Sequence, residues 1–266
     1  MDLDLAGKTA IVTGGSRGIG KAIARELARE GVDVAIVARN AGDLKAAAAE
    51  VAEATGRRIV PIVADTSNDA SVKAMVEQAA TELGHLDILV NCAAQPGGQG
   101  PVPKLADVTD DLFWADMNVK VMGYLRCARA AAAHMRAQRW GRIVLVSGLA
   151  ARQTGNAVGS MRNVAVAALG KNLADELGPD GINVTVIHPG LTRTERTAAL
   201  VDAQARSLGV EAREVERRMA DANSIRHLVD AAEVADVVAF LASPRSIAIN
   251  GESIGVGGGA PRAIHY

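Results

Sequence analysis

The sequence predicts an α/β fold of the doubly wound kind: one domain, a parallel seven-stranded sheet with helices on both faces. Three observations lead there. Strand-like apolar runs alternate with helical patterns along the chain, joined by short connections, the order that builds right-handed βαβ crossovers. Apolar residues make up 49% of the chain, as strands buried on both faces require. The first strand also runs straight into a glycine-rich turn that opens a helix, the junction at which such folds hold a phosphate group.

The elements follow in order. Residues 9–13 form the first strand, and Ile19, Ile23 and Leu27 mark one face of a helix over 18–30 by their three- and four-residue spacing. A strand at 33–37 leads to a helix at 43–55, and a strand at 59–63 to a helix at 71–83. In that last helix Ser71, Val72, Met75, Val76 and Ala79 share a face, with Ser71 placed to cap it. Further strands are expected at 88–90, 142–146, 183–187 and 253–256. The segment 198–222 is helical and insertion-like, a lid on the substrate side. With no linker or low-complexity run to divide the chain, 1–266 is one domain, long enough to bury a large core.

Composition removes several function classes. A net charge of -1 lacks the excess of Lys and Arg that phosphate-backbone binding needs, so no nucleic-acid partner is expected. Cys92 and Cys127 are isolated and in no metal-type spacing, which predicts a reduced cytoplasmic protein with no metal. Neither a targeting segment nor a membrane-length apolar stretch is visible, so no membrane partner is expected.

The first βα junction reads Thr13-Gly14-Gly15-Ser16-Arg17-Gly18-Ile19-Gly20. Its glycines let the chain turn sharply and bring backbone N–H groups close to a pyrophosphate, at which the helix aims its positive end. This segment resembles the glycine motif T-G-x-x-x-G-x-G of the short-chain dehydrogenase/reductase family, and the resemblance runs from Leu5 to about Gly258. It implies a Rossmann domain and a nicotinamide dinucleotide cofactor. Gly14, Ser16, Arg17, Gly18, Ile19 and Gly20 would then cradle the cofactor, and Asp65 would contact its adenine. Asn91 opens Asn91-Cys92-Ala93-Ala94, similar to the N-N-A-G run, with Cys for Asn and Ala for Gly. Asn118 matches the Asn that supports the active site. Pro189, Gly190, Thr192 and Thr194 match the P-G segment that holds the nicotinamide. The closing helix at 233–242 and the strand after Asn250-Gly251 resemble the part of the family fold usually used for oligomerisation, so a homo-oligomer, most simply a tetramer, is expected.

Cofactor choice follows from charge. After the second strand an NAD enzyme places a carboxylate on the ribose hydroxyls; here Ala38 stands there, followed by Arg39. Arg39 and Arg17 offer guanidinium donors suited to a 2′-phosphate, which predicts NADP(H).

The catalytic helix departs from the family. The family's pair is Tyr-x-x-x-Lys, but this chain has only Tyr124 and Tyr266, and after Lys120 its one lysine is Lys171. Counting back from Glu176 puts Gly159 at the Tyr position and Asn163 at the Lys position. Counting forward from Ser147, which matches the catalytic Ser, puts the Tyr position near Ser160 or Met161. No register recovers either residue. Ser147 can polarise a carbonyl and Asn163 can bond the ribose, but neither brings a charge to depress a pKa. His188 is read as a packed strand-end residue.

Two readings of function follow. One is an NADP(H)-dependent oxidoreductase with a rebuilt proton path, acting on a small carbonyl, imine or alcohol through Ser147, Asn118 and Asn163. The other is an NADP(H)-binding sensor, or a non-redox isomerase or lyase on the same scaffold. The tail after Gly259, with His265 and Tyr266, is expected to reach a neighbouring subunit's pocket.

Overall fold

The computed structural model describes residues 1–95 and 102–261. The tail expectation on His265 and Tyr266 falls outside them. In chain order the elements are β1 (Thr9–Thr13), α1 (Gly18–Arg29), β2 (Asp33–Ala38), α2 (Ala41–Thr55), β3 (Ile59–Val63), α3 (Asp69–Leu83) and β4 (Ile88–Asn91). There follow α4 (Asp110–Met117), a π-helical turn (Asn118–Met122), α5 (Gly123–Gln138), β5 (Gly141–Val146), α6 (Ala157–Leu177) and β6 (Ile182–Pro189). The last part holds β7 (Thr192–Arg193), α7 (Thr197–Leu208), α8 (Ala212–Ala220), β8 (Val229–Asp230), α9 (Ala231–Ala242) and β9 (Ser253–Val256).

Seven strands form one parallel sheet in the order β3-β2-β1-β4-β5-β6-β9. Because side chains alternate across a strand, each strand feeds two cores. Ile11, Ala35, Val37, Ile143 and Leu145 pack against α3, α5 and α6. Ala10, Val12, Val34, Ile36 and Val144 pack against α1, α2 and α9. Pro61 lies in β3, at the sheet edge, where a missing N–H costs no ladder bond on the open side.

The order reverses between β1 and β4, whose chains diverge to β2 on one side and β5 on the other. A crevice opens beyond the strand ends at such a switch point. Thr13 closes its floor: its Oγ1 accepts the N–H groups of Cys92 (3.0 Å) and Ala93 (3.1 Å).

Local details differ from the sequence expectation. Asn68, not Ser71, caps α3: the Asn68 side chain accepts the Ser71 N–H, while Ser71 Oγ accepts the N–H of Asp65. The segment 198–222 is two helices, α7 and α8, with a left-handed Gly209 after α7. The two-stranded ribbon of β7 and β8 and the π-turn had no sequence signal.

Candidate functional site

The crevice is a cleft of about 750 Å³ at the C-terminal ends of β1, β2 and β4. Of the residues expected to bind a cofactor, Gly14, Ser16, Arg17, Gly18, Ile19, Gly20, Arg39, Asp65 and Thr194 line it. Gly14 has φ +70, and a Cβ there would press on the Ala93 backbone at 3.0 Å. A Cβ on Gly20 would overlap the Gly14 carbonyl. The loop is therefore folded back on itself more tightly than any side chain permits, which leaves room for a ligand's phosphates.

The N-terminal end of α1 already holds an anion. Glu195 Oε2 accepts the Gly18 N–H at 2.9 Å, and its Oε1 lies 2.9 Å from Lys21 Nζ. Burial works to raise the Glu195 pKa, but the bonds from Lys21 and Gly18 outweigh it and hold the group below the usual carboxylate range. A carboxylate settled here demonstrates that the donor set suits negative charge. Across the cleft, the Ser67 N–H and hydroxyl both bond Asp65 Oδ1, keeping Asp65 ionised and pointing. Arg39 follows β2 directly, with Ala38 before it.

Other cofactor candidates stand behind the cleft or beside it. Asn91 is fully buried and donates Nδ2 to the Tyr124 carbonyl at 3.4 Å. Pro189 ends β6, the Gly190 N–H bonds the Val256 carbonyl at 3.3 Å, and Thr192 Oγ1 bonds the Gly190 carbonyl at 3.1 Å. Cys92, Ala93 and Ala94 of the N-N-A-G-like run line the cleft too, whereas sequence reasoning missed Asn40, Asp43, Thr66, Val119 and Arg196. The loop positions among them carry no motif that marks them; the Asn40 side chain is legible only as the cap of α2.

On the catalytic side, Ser147 is buried and its Oγ donates to the backbone carbonyl of Asn163 at 3.0 Å. Ser147 is not among the residues lining the cleft. The neighbouring position faces the helix instead: a Cβ on Gly148 would meet Asn163 Nδ2 at 3.1 Å. Asn163 is buried, with Arg162 Nε 3.4 Å from its Oδ1. Gly159 sits in the first turn of α6, where its N–H is capped by Asn156 Oδ1 at 2.8 Å. A Cβ on Gly159 would reach the Asn156 carboxamide at 3.0 Å, so that side chain holds part of the space in which a tyrosine would start. Asn118 opens the π-turn, with Nδ2 3.5 Å from the Ser67 carbonyl.

The π-turn turns Lys120 inward. Its ammonium is buried and donates to the Ser147 carbonyl at 2.9 Å; burial pushes its pKa down to about 7. Close by, Arg162 pairs with both carboxylate oxygens of Asp116 at 2.9 and 2.8 Å. Tyr124 is buried and donates its hydroxyl to the Val146 carbonyl at 2.9 Å. Lys171 pairs with Asp175 at the surface. Outside the cleft, His227, Asp230 and Glu233 lie close together, with Glu233 bonded to the Asp230 N–H and to His227.

A parallel sheet with its crevice at the switch point, a glycine loop folded on a helix start and an anion held there together define a dinucleotide-fold protein. The family model described as Enoyl-(Acyl carrier protein) reductase matches residues 14–261. The short-chain reductase protein NovJ of Streptomyces niveus is 36% identical over 253 residues, covering 95% of this chain and 93% of its own. The L-sorbose reductase of Gluconobacter frateurii, solved with NADPH and L-sorbose, superposes with a TM-score of 0.92 at 29% identity, over 99% of this chain and 100% of its own. A short chain dehydrogenase from Burkholderia cenocepacia J2315, solved with NADP, gives 0.80 at 35% identity, over 96% of this chain and 98% of its own. The chain belongs to the short-chain dehydrogenase/reductase family of oxidoreductases. Among the described residues no helix is long and apolar enough to cross a membrane.

Proposed function

We propose that this protein is an NADP(H)-dependent oxidoreductase whose proton chemistry does not run through a Tyr-x-x-x-Lys pair. The observation that carries the reading is the cleft itself. It brings Arg17 and Arg39 together with the glycine loop, and Ala38 stands at the end of β2 where a carboxylate would repel a 2′-phosphate. Gly14, Ser16, Gly18, Ile19 and Gly20 would hold the pyrophosphate, Arg17 and Arg39 the 2′-phosphate, and Asp65 the adenine. Asn91, Asn163, Pro189, Gly190, Thr192 and Thr194 would border the nicotinamide end. Relatives solved with NADPH and NADP support the cofactor.

A bound NADPH supplies hydride; the chain must supply geometry and a proton. Hydride transfer depends mainly on positioning, and the cleft residues provide that. Among the described residues no phenol is available: Gly159 has no side chain, and the Tyr124 hydroxyl is tied to the Val146 carbonyl. Substrates that already carry positive charge, such as iminium ions, need no proton donor, and they suit this site better than neutral ketones. General acid–base help contributes on the order of 10²–10⁴-fold, so simple ketones and secondary alcohols should turn over that much more slowly than in relatives with the pair. A panel of ketones, imines and alcohols followed by NADPH absorbance tests this. Rapid ketone turnover would overturn it.

The buried bonds of Ser147 to Asn163, and of Lys120 to Ser147, favour a second reading, a catalytically silent NADP(H)-binding protein. Tight NADPH binding with no turnover anywhere in the panel would select it. We also propose a cytoplasmic homo-oligomer, a tetramer, with α7 and α8 as the substrate-side lid of a single domain.

A further inference from the structure

We infer that Glu195 is an internal anion that occupies the pyrophosphate end of the cleft and must be displaced by the dinucleotide, so that it sets cofactor affinity. The inference rests on the NADP(H) reading above. Three observations carry it. First, the Glu195 carboxylate bonds the Gly18 N–H and Lys21 Nζ, both at 2.9 Å. These donors, a first-turn N–H of α1 and an ammonium one turn on, are the kind a diphosphate uses. Second, α1 has no anion of its own: Arg17 makes no side-chain cap and no acidic residue stands in the first turn. Helices α2, α3, α4 and α6 are capped by Asn40, Asn68, Thr109 and Asn156, while α5 and α7 share with α1 the lack of both a cap and a first-turn acid. The anion on α1 is brought from 177 residues away. Third, the two residues flanking Glu195, Thr194 and Arg196, line the same cleft as Gly18. The loop that delivers the carboxylate therefore lies across the site where a phosphate would sit.

A carboxylate and a pyrophosphate cannot share these donors, because like charges at contact distance repel. Binding must break the Gly18 and Lys21 bonds to Glu195, and that cost is subtracted from the affinity. The displaced side chain is half-exposed, so water can take it up.

The test is calorimetric titration of NADPH into the wild type, Glu195→Gln and Glu195→Ala at low ionic strength. Adenosine 2′-monophosphate, which lacks the pyrophosphate, is the parallel ligand, and thermal melts check that each variant is folded. Both variants are expected to bind NADPH about tenfold more tightly, a gain of about 1.4 kcal/mol, with affinity for the monophosphate unchanged. NADPH binding equal to or weaker than wild type in both variants would overturn the inference while leaving the dinucleotide reading intact. An equal gain for both ligands would overturn it too, by removing the link to pyrophosphate. If neither wild type nor variants bind NADPH, the dinucleotide reading itself fails, and this inference with it.

Discussion

Single residues decide both what the cleft accepts and what the fold tolerates beneath it. Arg39 is one of three cleft arginines, with Arg17 and Arg196, and Ala38 beside it brings no opposing charge. Arg39→Ala should weaken NADPH by about 1.5–3 kcal/mol, the scale of a lost charge-assisted bond, and leave NADH nearly unaffected. Fluorescence titration of both cofactors checks this; an equal loss for both would move Arg39 away from the 2′-phosphate. Lys120 makes a second case. Its pKa is lowered to about 7 in the fold by burial, against about 10.4 in an unfolded chain. Between those values the unfolded state holds the proton and the folded state does not, so stability rises with pH across the window and is lowest below pH 7. Lys120→Met should therefore stabilise the protein on the order of a few kcal/mol at pH 6, and the gain should fade toward pH 10. Denaturant melts at several pH values measure it, and a destabilised variant at pH 6 would mean that the ammonium is favoured where it lies. The glycine loop and Arg39 were legible in the sequence because motif and strand end are local. Lys120, Glu195 and the Asp116–Arg162 pair were not, because each depends on partners far along the chain.

Elements show the same division. The central strands were legible from apolar runs, because parallel strands buried on both faces are apolar throughout, while the edge strands β3 and β9 are buried on one face or only in part. Helix starts were less so: α3 begins at Asp69 because Asn68 and Ser71 divide the work of capping and of holding Asp65. The π-turn carries no local signature, since Asn118–Met122 reads as ordinary helix, and it is this extra residue per turn that rotates Lys120 inward. In α6 the cap has taken over space near the active site. Asn156→Ala should cost about 1 kcal/mol, as N-cap losses do, and loosen the turn that bears Gly159. Thermal melts measure the cost. A neutral outcome would show that the first turn of α6 is held by packing rather than by its cap.

At the scale of the molecule, the sheet ends at β9, which pairs with β6 on one side only. Its Ile254 and Val256 are only partly buried, and Ile247 just before it is 63% exposed. Trp114 of α4 and Met161 and Val164 of α6 form further exposed apolar surface, each at least half open to solvent. An open strand edge and uncovered apolar side chains are liabilities that a chain with little net charge does not offset by repulsion. Burial of these side chains between copies would yield about 25 cal/mol for each Å² covered. The proposed tetramer would associate through two different faces, the β9 edge and the α4–α6 surface, a closed assembly with two kinds of two-fold contact. Light scattering at micromolar concentration should return four times the monomer mass. Val164→Glu, which places a charge in one of the two contacts, should leave dimers with unchanged NADPH affinity, because the other contact and the cleft are untouched. A clean monomer in the wild type would show that these surfaces face water, and a tetramer in the variant would place the contact elsewhere.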